Sequence, residues 1–351
     1  MNAASPGARI PPSATPVLRP AQAGDALCLG LLATQVFLET YAPQGIRETI
    51  ALEVQEHAST AATSARLADE RTHFIVAESD GHLVGFVELR FADDDTPAPL
   101  PSRPAAEVVR LYVLERFAAR GLGTRLLAQA EALAAAGGAG ILWLTAWIGN
   151  TRALAFYPRR GFSAAGTTQY RFQDETYENR LFAKDIAPPA PRADGADPLR
   201  HINPDHFLDT PQGRDTTPER NALAWQQCRA ALDAALRNTT PGARLYVMIG
   251  AQGSGKSTWA RRCTAAERCA VVFDAILVQR AERAPLLAAA ARHGVPATAV
   301  WCRTPLETCL ARNAGRPADQ VADAQGLRNV FAALQPPGTD EGFERIVVVQ
   351  G

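Results

Sequence analysis

The chain is almost without lysine. Of 36 basic side chains in 351 residues only Lys184 and Lys256 are lysines, and the rest are arginine, the bias that a GC-rich coding sequence writes. The six cysteines form no C-x-x-C pair, and the six histidines (His57, His73, His82, His201, His206, His293) form no H-x-H or H-E-x-x-H pattern. Both absences argue against a structural zinc site. Unpaired spacing makes the cysteines expected buried thiols of a reducing compartment, with no disulfide partner. No apolar run reaches the ~18 residues that a membrane span needs. The first residues, M-N-A-A-S-P-G-A-R-I-P-P-S-A-T-P, lack the apolar core of a signal peptide. The expectation is a short disordered leader over residues 1–16, a cytoplasmic location and no membrane partner. An excess of either charge is missing too, at 36 acidic against 36 basic residues, which argues against a protein built chiefly to hold a bare nucleic-acid backbone.

What is present is globular: 47% hydrophobic and 21% charged residues in a length that suits two domains. Residues 187–199, A-P-P-A-P-R-A-D-G-A-D-P-L, have no periodic apolar face and are expected to link a domain at 17–186 to one at 200–351. Residues 1–199 hold 18 basic and 22 acidic side chains, and residues 200–351 hold 18 and 14. A mildly acidic half suits a cationic substrate, and a mildly basic half suits phosphates.

In the first half, two apolar runs between residues 71 and 90 flank Asp80-Gly81, a hairpin signal. Residues 107–114, E-V-V-R-L-Y-V-L, predict a strand with Val109, Leu111 and Val113 on one face. R-G-L-G-T at 120–124 then opens a helix whose stripe is Leu122, Leu126, Leu127, Ala130 and Ala134, ending at Gly137-Gly138. I-L-W-L-T-A-W at 141–147 is the next strand, followed by Asn150 and by A-L-A-F-Y-P-R-R-G-F at 153–162. The first N–H groups of a helix have no internal partner and carry partial positive charge, and glycines let a pyrophosphate approach them.

This order of motifs resembles the GNAT acetyltransferases, whose pattern runs strand, [R/Q]-x-x-G-x-[G/A], helix, strand, Asn, and a helix reading A-x-x-F-Y-x-x-x-G-F. The resemblance spans about residues 15–186, and V-F-L-E-T-Y-A-P at 36–43 further resembles the bacterial polyamine acetyltransferase branch. It implies an acetyl-CoA site and an amine acceptor, a small molecule that is polyamine-like or other. Residue by residue, it implies that backbone groups of Leu111, Tyr112 and Val113 line the pantetheine. The N–H groups of Arg120, Gly121, Leu122, Gly123 and Thr124 would hold the pyrophosphate. Asn150 would bond the cofactor or a splayed strand, and Tyr157 would protonate the departing thiolate. An oriented strand N–H would stabilise the oxyanion. The family's Arg/Gln position is Ala118 here, which implies weaker phosphate binding rather than its loss. Glu39, Tyr41, Glu88 and Tyr112 are candidates for the general base.

In the second half, R-L-Y-V-M-I at 244–249 predicts a buried strand, followed by G-A-Q-G-S-G-K-S at 250–257 and a helix start. This is G-x-x-x-x-G-K-[ST] in its strand–loop–helix setting. The loop from Gly250 through Gly253, Ser254 and Gly255 to Thr258 would cradle phosphates. Lys256 would reach the β and γ oxygens of ATP, and Ser257 would ligate Mg²⁺. A-V-V-F-D-A at 270–275 predicts a strand ending at Asp274, placed to face the metal. Arg312 and Arg316, four apart, would share a helix face as a phosphate-clamping lid.

G-S-G-K-S-T-W-A-R, F-D-A with Arg280 and Arg283, A-R-N-A-G-R and P-P-G-T-D-E-G-F together resemble the polynucleotide-kinase-like P-loop kinases. The resemblance covers about residues 200–351 and implies phosphorylation of a hydroxyl on a small molecule or a nucleic-acid end. Two departures matter. Where the family often carries D-x-T-N, this chain has Asp274-Ala275-Ile276-Leu277. The segment H-I-N-P-D-H-F-L-D at 201–209, like the one that bears the family's hydroxyl-activating Asp, precedes the P-loop instead of following it. A permuted arrangement with Asp205 as base is expected. The fold expectation is thus α/β in two domains: a GNAT mixed-sheet fold, then a P-loop NTPase α/β/α fold on a parallel sheet, possibly permuted. A regulatory ATP-binding module is the alternative to an active kinase.

Overall fold

The computed structural model describes residues 15–350 except 93–95, 119, 173–174, 187–199, 211–212, 240, 268–269 and 317–320. The expected linker, most of the expected leader and Cys269 lie outside the described residues. The chain divides into two compact units, the main break falling after Ile186.

The first unit is built on a seven-stranded mixed sheet. Its elements are β1 (Val17–Pro20), α1 (Ala26–Tyr41), α2 (Glu48–Ala58), α3 (Thr60–Ala68), β2 (Thr72–Ser79), β3 (His82–Ala92), β4 (Ala105–Val113), α4 (Leu122–Ala136), β5 (Ile141–Trp147), α5 (Thr151–Phe156), β6 (Ser163–Phe172) and β7 (Glu175–Asp185). The sheet order is β1-β2-β3-β4-β5-β7-β6. β2 and β3 meet through a two-residue turn in which Asp80 and Gly81 both take positive φ (51° and 77°), the geometry a tight hairpin requires. The α4 stripe is the buried one: Leu122, Leu126, Leu127, Ala130 and Ala134 are all 3% exposed or less.

Two features of β4 position the site. First, its register against β3 shifts between Glu88 and Leu89, which pair with Arg110 and Val108 and leave Val109 as an extra residue. This β-bulge breaks the period of two. The expectation that Val109, Leu111 and Val113 share a face therefore fails. Glu107 and Val109 face a cavity, and after the bulge Arg110 and Tyr112 do so instead. Second, β4 and β5, the only parallel pair of this sheet, pair just at Ala105–Ile141, Ala106–Leu142 and Glu107–Trp143. From Val108 to Val113, β4 stays paired with β3 but parts from β5.

The second unit is a five-stranded, all-parallel sheet. It comprises β8 (His201–Ile202), a small ribbon of β9 (Asp209–Thr210) and β10 (Gly213–Arg214), α6 (Pro218–Arg237), β11 (Arg244–Ile249), α7 (Lys256–Ala266), β12 (Ala270–Phe273), α8 (Arg280–Arg292), β13 (Ala297–Arg303), α9 (Leu306–Ala314), α10 (Ala324–Ala332) and β14 (Arg345–Gln350). The sheet order is β14-β13-β11-β12-β8. β11 is apolar on both faces because helices cover both. Leu245, Val247 and Ile249 join a cluster with α6 and α8, and Met248 joins one with α7. β8 lies parallel to β12 at the sheet edge, so a strand that precedes the P-loop in sequence completes its sheet, as the permuted arrangement requires.

Among the described cysteines four are buried, but Cys28 is exposed on α1, against the expectation that all are buried. Among the described residues no helix is long and apolar enough to cross a membrane.

Arg280 and Arg283, read in sequence as part of the kinase pattern, have structural partners. Arg283 is fully buried. It grips both oxygens of Glu341 at 2.7 and 2.9 Å and donates to the Leu277 carbonyl at 3.0 Å. It thereby pins the P-P-G-T-D-E-G-F segment to α8. Burial would raise the Glu341 carboxyl, but Arg283 and the Gly338 N–H outweigh it and hold it below the usual range. Arg283→Ala strands this carboxylate, so urea denaturation should show a loss of about 3–5 kcal/mol. Arg280→Ala, at an exposed pair with Asp340, should barely move the midpoint.

Candidate functional sites

In the first unit the parted strands, a helix start and a cavity come together. Among the described residues, the first α4 N–H to find a helical acceptor belongs to Arg125, which donates to the Gly121 carbonyl at 3.0 Å. The N–H groups of Leu122, Gly123 and Thr124 in the turn before it have no helical partner among the described residues, the arrangement that suits a pyrophosphate. Asn150 caps α5: its Oδ1 accepts from the Ala153 N–H at 3.0 Å. Its amide NH₂ and the second lone pair of Oδ1 are left for a cofactor or strand.

Tyr157 is 8% exposed and packs edge-on against Phe156 and Phe162. Burial, and then the Tyr41 phenol, push its pKa well above the ordinary tyrosine range. Tyr157 therefore holds its proton at neutral pH, the state a general acid needs.

The cavity has a volume of about 370 Å³, in the range of a small-metabolite site. Phe37, Tyr41, Tyr112, Trp147, Tyr170 and Tyr177 contribute rings to its wall, and Glu53, His57, Glu107, Arg47 and Arg110 its charges. α1 and α2 deliver several of these groups. They cross closely because residue 30 is glycine: a Cβ there would overlap the Ala58 carbonyl oxygen.

The four base candidates separate. Glu39 is exposed, bonded to Gln35, and not on the cavity wall. Glu88 is 1% exposed, clamped by Arg66 and Arg110 at 3.1 and 2.7 Å, and not on the cavity wall. Tyr41 and Tyr112 do line the cavity, but burial raises both phenols, which keeps them protonated. Sequence reading missed Glu53 and His57. They stand one helical turn apart on α2, and an E-x-x-x-H pair was the available signal.

In the second unit the site lies at the carboxyl ends of β11 and β13. β11 leads through α7 to β12 on one side, and β13 leads through α9 to β14 on the other. This is the switch point at which open α/β sheets bind ligands. The loop from Gly250 to Gly255 takes positive φ at Gly250, Gly253 and Gly255 (151°, 77° and 95°). Gly253 has no alternative, since a Cβ would lie 2.6 Å from the Cys309 carbonyl oxygen. Trp259 makes the first helical bond, to the Gly255 carbonyl at 3.0 Å. The N–H groups of Lys256, Ser257 and Thr258 precede it and have no helical partner. The Ser254 hydroxyl is buried without a partner. Lys256 is 7% exposed, and its Nζ donates to the Gly250 and Ala251 carbonyls at 2.8 Å each. Burial pulls its pKa below the usual range, against the opposing charge of Asp274.

Asp274 is 1% exposed and immediately follows β12. Burial would raise its carboxyl, but hydrogen bonds from His201 and Ser257 and the charge of Lys256 hold it below the usual range. His201 Nε2 and Asn203 Nδ2 each approach Asp274 Oδ2 at 3.1 Å. The segment before the P-loop thus reaches the site through His201 and Asn203, which sequence reading missed. The Asp205 carboxylate is more than half exposed and turns to Arg214 at 3.7 Å. The two lid arginines do not share a helix: Arg312 is on α9 and Arg316 lies past its end. Arg312 Nη1 donates to the Gly253 carbonyl at 3.4 Å, and the charge of Arg316 acts on Lys256. Among the described residues no cluster of His, Cys, Asp and Glu could hold a metal by itself. The Ser257–Asp274 pair beside a phosphate cradle nevertheless fits Mg²⁺ shared with phosphate oxygens.

Comparison with known proteins follows this division. A profile described as an AAA domain matches residues 263–337, beginning downstream of the glycine loop. A profile of the acetyltransferase (GNAT) family matches residues 37–162. An uncharacterized N-acetyltransferase of Mycobacterium tuberculosis is 31% identical over 147 residues, which cover 42% of this chain and 88% of that protein. Another, of Lactobacillus delbrueckii subsp. lactis, is 24% identical over 153 residues, covering 44% and 87%. Among solved structures, the PaiA N-acetyltransferase of Thermoplasma acidophilum in complex with coenzyme A is similar at 22% identity and a TM-score of 0.41, over 49% of this chain and 99% of that one. Through its N-terminal domain, the chain belongs to the GNAT acetyltransferase family.

Proposed function

We propose that the chain is a bifunctional transferase. Its first domain moves the acetyl group of acetyl-CoA to the amine of a small molecule, and its second moves the γ-phosphoryl of ATP to a hydroxyl. The observation that carries the first reading is the parting of β4 from β5 beside the cavity. The freed β4 edge at Leu111–Val113 offers backbone partners to a pantetheine arm, and the α4 start offers N–H groups to its pyrophosphate. The amine in the cavity attacks the thioester carbonyl. A β4 N–H at the bulge stabilises the oxyanion, Glu53 takes the amine proton, and the C–S bond breaks as Tyr157 protonates the thiolate.

The kinase reading rests on Lys256, Arg312 and Arg316 gathered at one loop. Mg²⁺ held by Ser257 beside Asp274 would supply positive charge to the phosphates. Asp205 would draw the acceptor proton once released from Arg214. The regulatory alternative has its own support: Asp274 is already engaged by His201 and Asn203, and the positions of the family's Thr and Asn are apolar.

Tyr157→Phe should lower kcat for acetyl transfer about 10²-fold with little change in the KM for acetyl-CoA, measured by thiol release. An unchanged kcat would remove Tyr157 from the mechanism. Lys256→Ala should abolish phosphate transfer from labelled ATP to a metabolite extract while acetylation continues. If the parent transfers no phosphate and ATP instead alters acetylation kinetics, the regulatory reading stands.

A further inference from the structure

The charges on the cavity wall do not cancel locally. The Arg, His and carboxylate side chains that line it are Arg47, Glu53, His57, Glu107 and Arg110. Two of them are balanced. Arg47 is gripped by both carboxylate oxygens of Glu175, and Glu107 is bound by Arg90 at 2.7 Å. Two are not. Glu88 is the one carboxylate that Arg66 and Arg110 contact among the described residues, and it serves both. An arginine cannot shed its proton, so two guanidiniums on one carboxylate leave a positive charge over. Arg110 is the member of the trio on the cavity wall.

Glu53 presents the opposite case. It is 6% exposed and has no arginine or lysine partner among the described residues. It accepts from the Tyr170 hydroxyl at 2.5 Å and stands 3.5 Å from His57 Nε2. Tyr170 connects the two unbalanced groups, since its hydroxyl is bonded to Glu53 while the charge of Arg110 acts on it.

Charges held out of water are costly unless paired. A ligand that completes this cavity must carry both signs. We propose that the acetyl acceptor is an amphoteric small molecule: a primary amine that also bears an anionic group, carboxylate or phosphoryl. Its ammonium meets Glu53 on a wall lined with aromatic rings, where a cation is favoured, and its anionic group meets Arg110, whose planar fork suits either oxyanion. A polyamine fits poorly, because its second ammonium would face Arg110. Acetylation also removes the charge that holds the ligand to Glu53, so the product is released more easily than the substrate binds. This inference rests on the acetyltransferase reading.

The test pairs anionic amines with their neutral or cationic counterparts as acceptors for the full chain with acetyl-CoA. The pairs are 4-aminobutanoate with n-butylamine and 1,4-diaminobutane, tyrosine with tyramine, and O-phosphoethanolamine with ethanolamine. At least one anionic amine should exceed its counterpart about tenfold or more in kcat/KM, and which anion wins separates carboxylate from phosphoryl. Arg110→Gln should erase that preference chiefly through KM, and Arg110→Lys should restore part of it. If Arg110→Gln fails to fold, the parent panel decides alone. Equal or better use of the counterparts overturns the proposal, as does the failure of every anionic amine in protein that binds acetyl-CoA. Loss of acetyl-CoA binding itself would instead overturn the proposed function on which this inference rests.

Discussion

A backbone N–H without a partner is expensive inside a protein, yet each half of this chain sets out a row of them. In both, a strand runs into a glycine turn and then a helix whose first donors find no helical carbonyl among the described residues: Leu122 to Thr124 in the first domain, Lys256 to Thr258 in the second. At a helix start such a row is tolerable where water or an anion can satisfy it. The parted β4 edge extends the same logic, since strand groups released from β5 are satisfied only by something that lies between them. Much of the rest of each fold serves to hold these donors open. α4 is pinned by its leucine stripe, and the P-loop is packed so tightly under Cys309 that residue 253 has to be glycine.

Charge placement tells the two domains apart. In the second, the buried charges are matched close by: Asp274 by His201, Lys256 and Ser257, and Glu341 by Arg283. Lys256 donates to the loop carbonyls of Gly250 and Ala251, a use of a slim ammonium that a guanidinium fork could not copy in so tight a loop. In the first, the Arg66–Glu88–Arg110 trio and Glu53 are left unmatched on opposite signs at one cavity. That asymmetry is what the proposed amphoteric acceptor would complete.

The strand–turn–helix order, the hairpin at Asp80-Gly81, the α4 stripe and the P-loop were legible in the sequence because each is local. Period, turn chemistry and glycine spacing act over a few residues. The reading failed where a single residue changed the phase. The extra Val109 in β4 turns Arg110 and Tyr112 toward the cavity, and periodicity of two cannot foresee it. Spacing of four puts Arg316 on the helix of Arg312, but that helix ends at Ala314. The general base was sought among Glu39, Tyr41, Glu88 and Tyr112, while Glu53 and His57 lie on α2, a helix that carries no family motif.

Two α/β domains, each with a glycine turn opening a helix, could be read from the chain alone, because those signals are written in consecutive residues. So could the place of one of only two lysines, in the P-loop. Tertiary structure alone decided which charges meet. Glu53 meets Tyr170 across 117 positions, and Asp274 meets His201 across 73. Contacts of that range follow from how sheets and helices pack, and no local pattern encodes them.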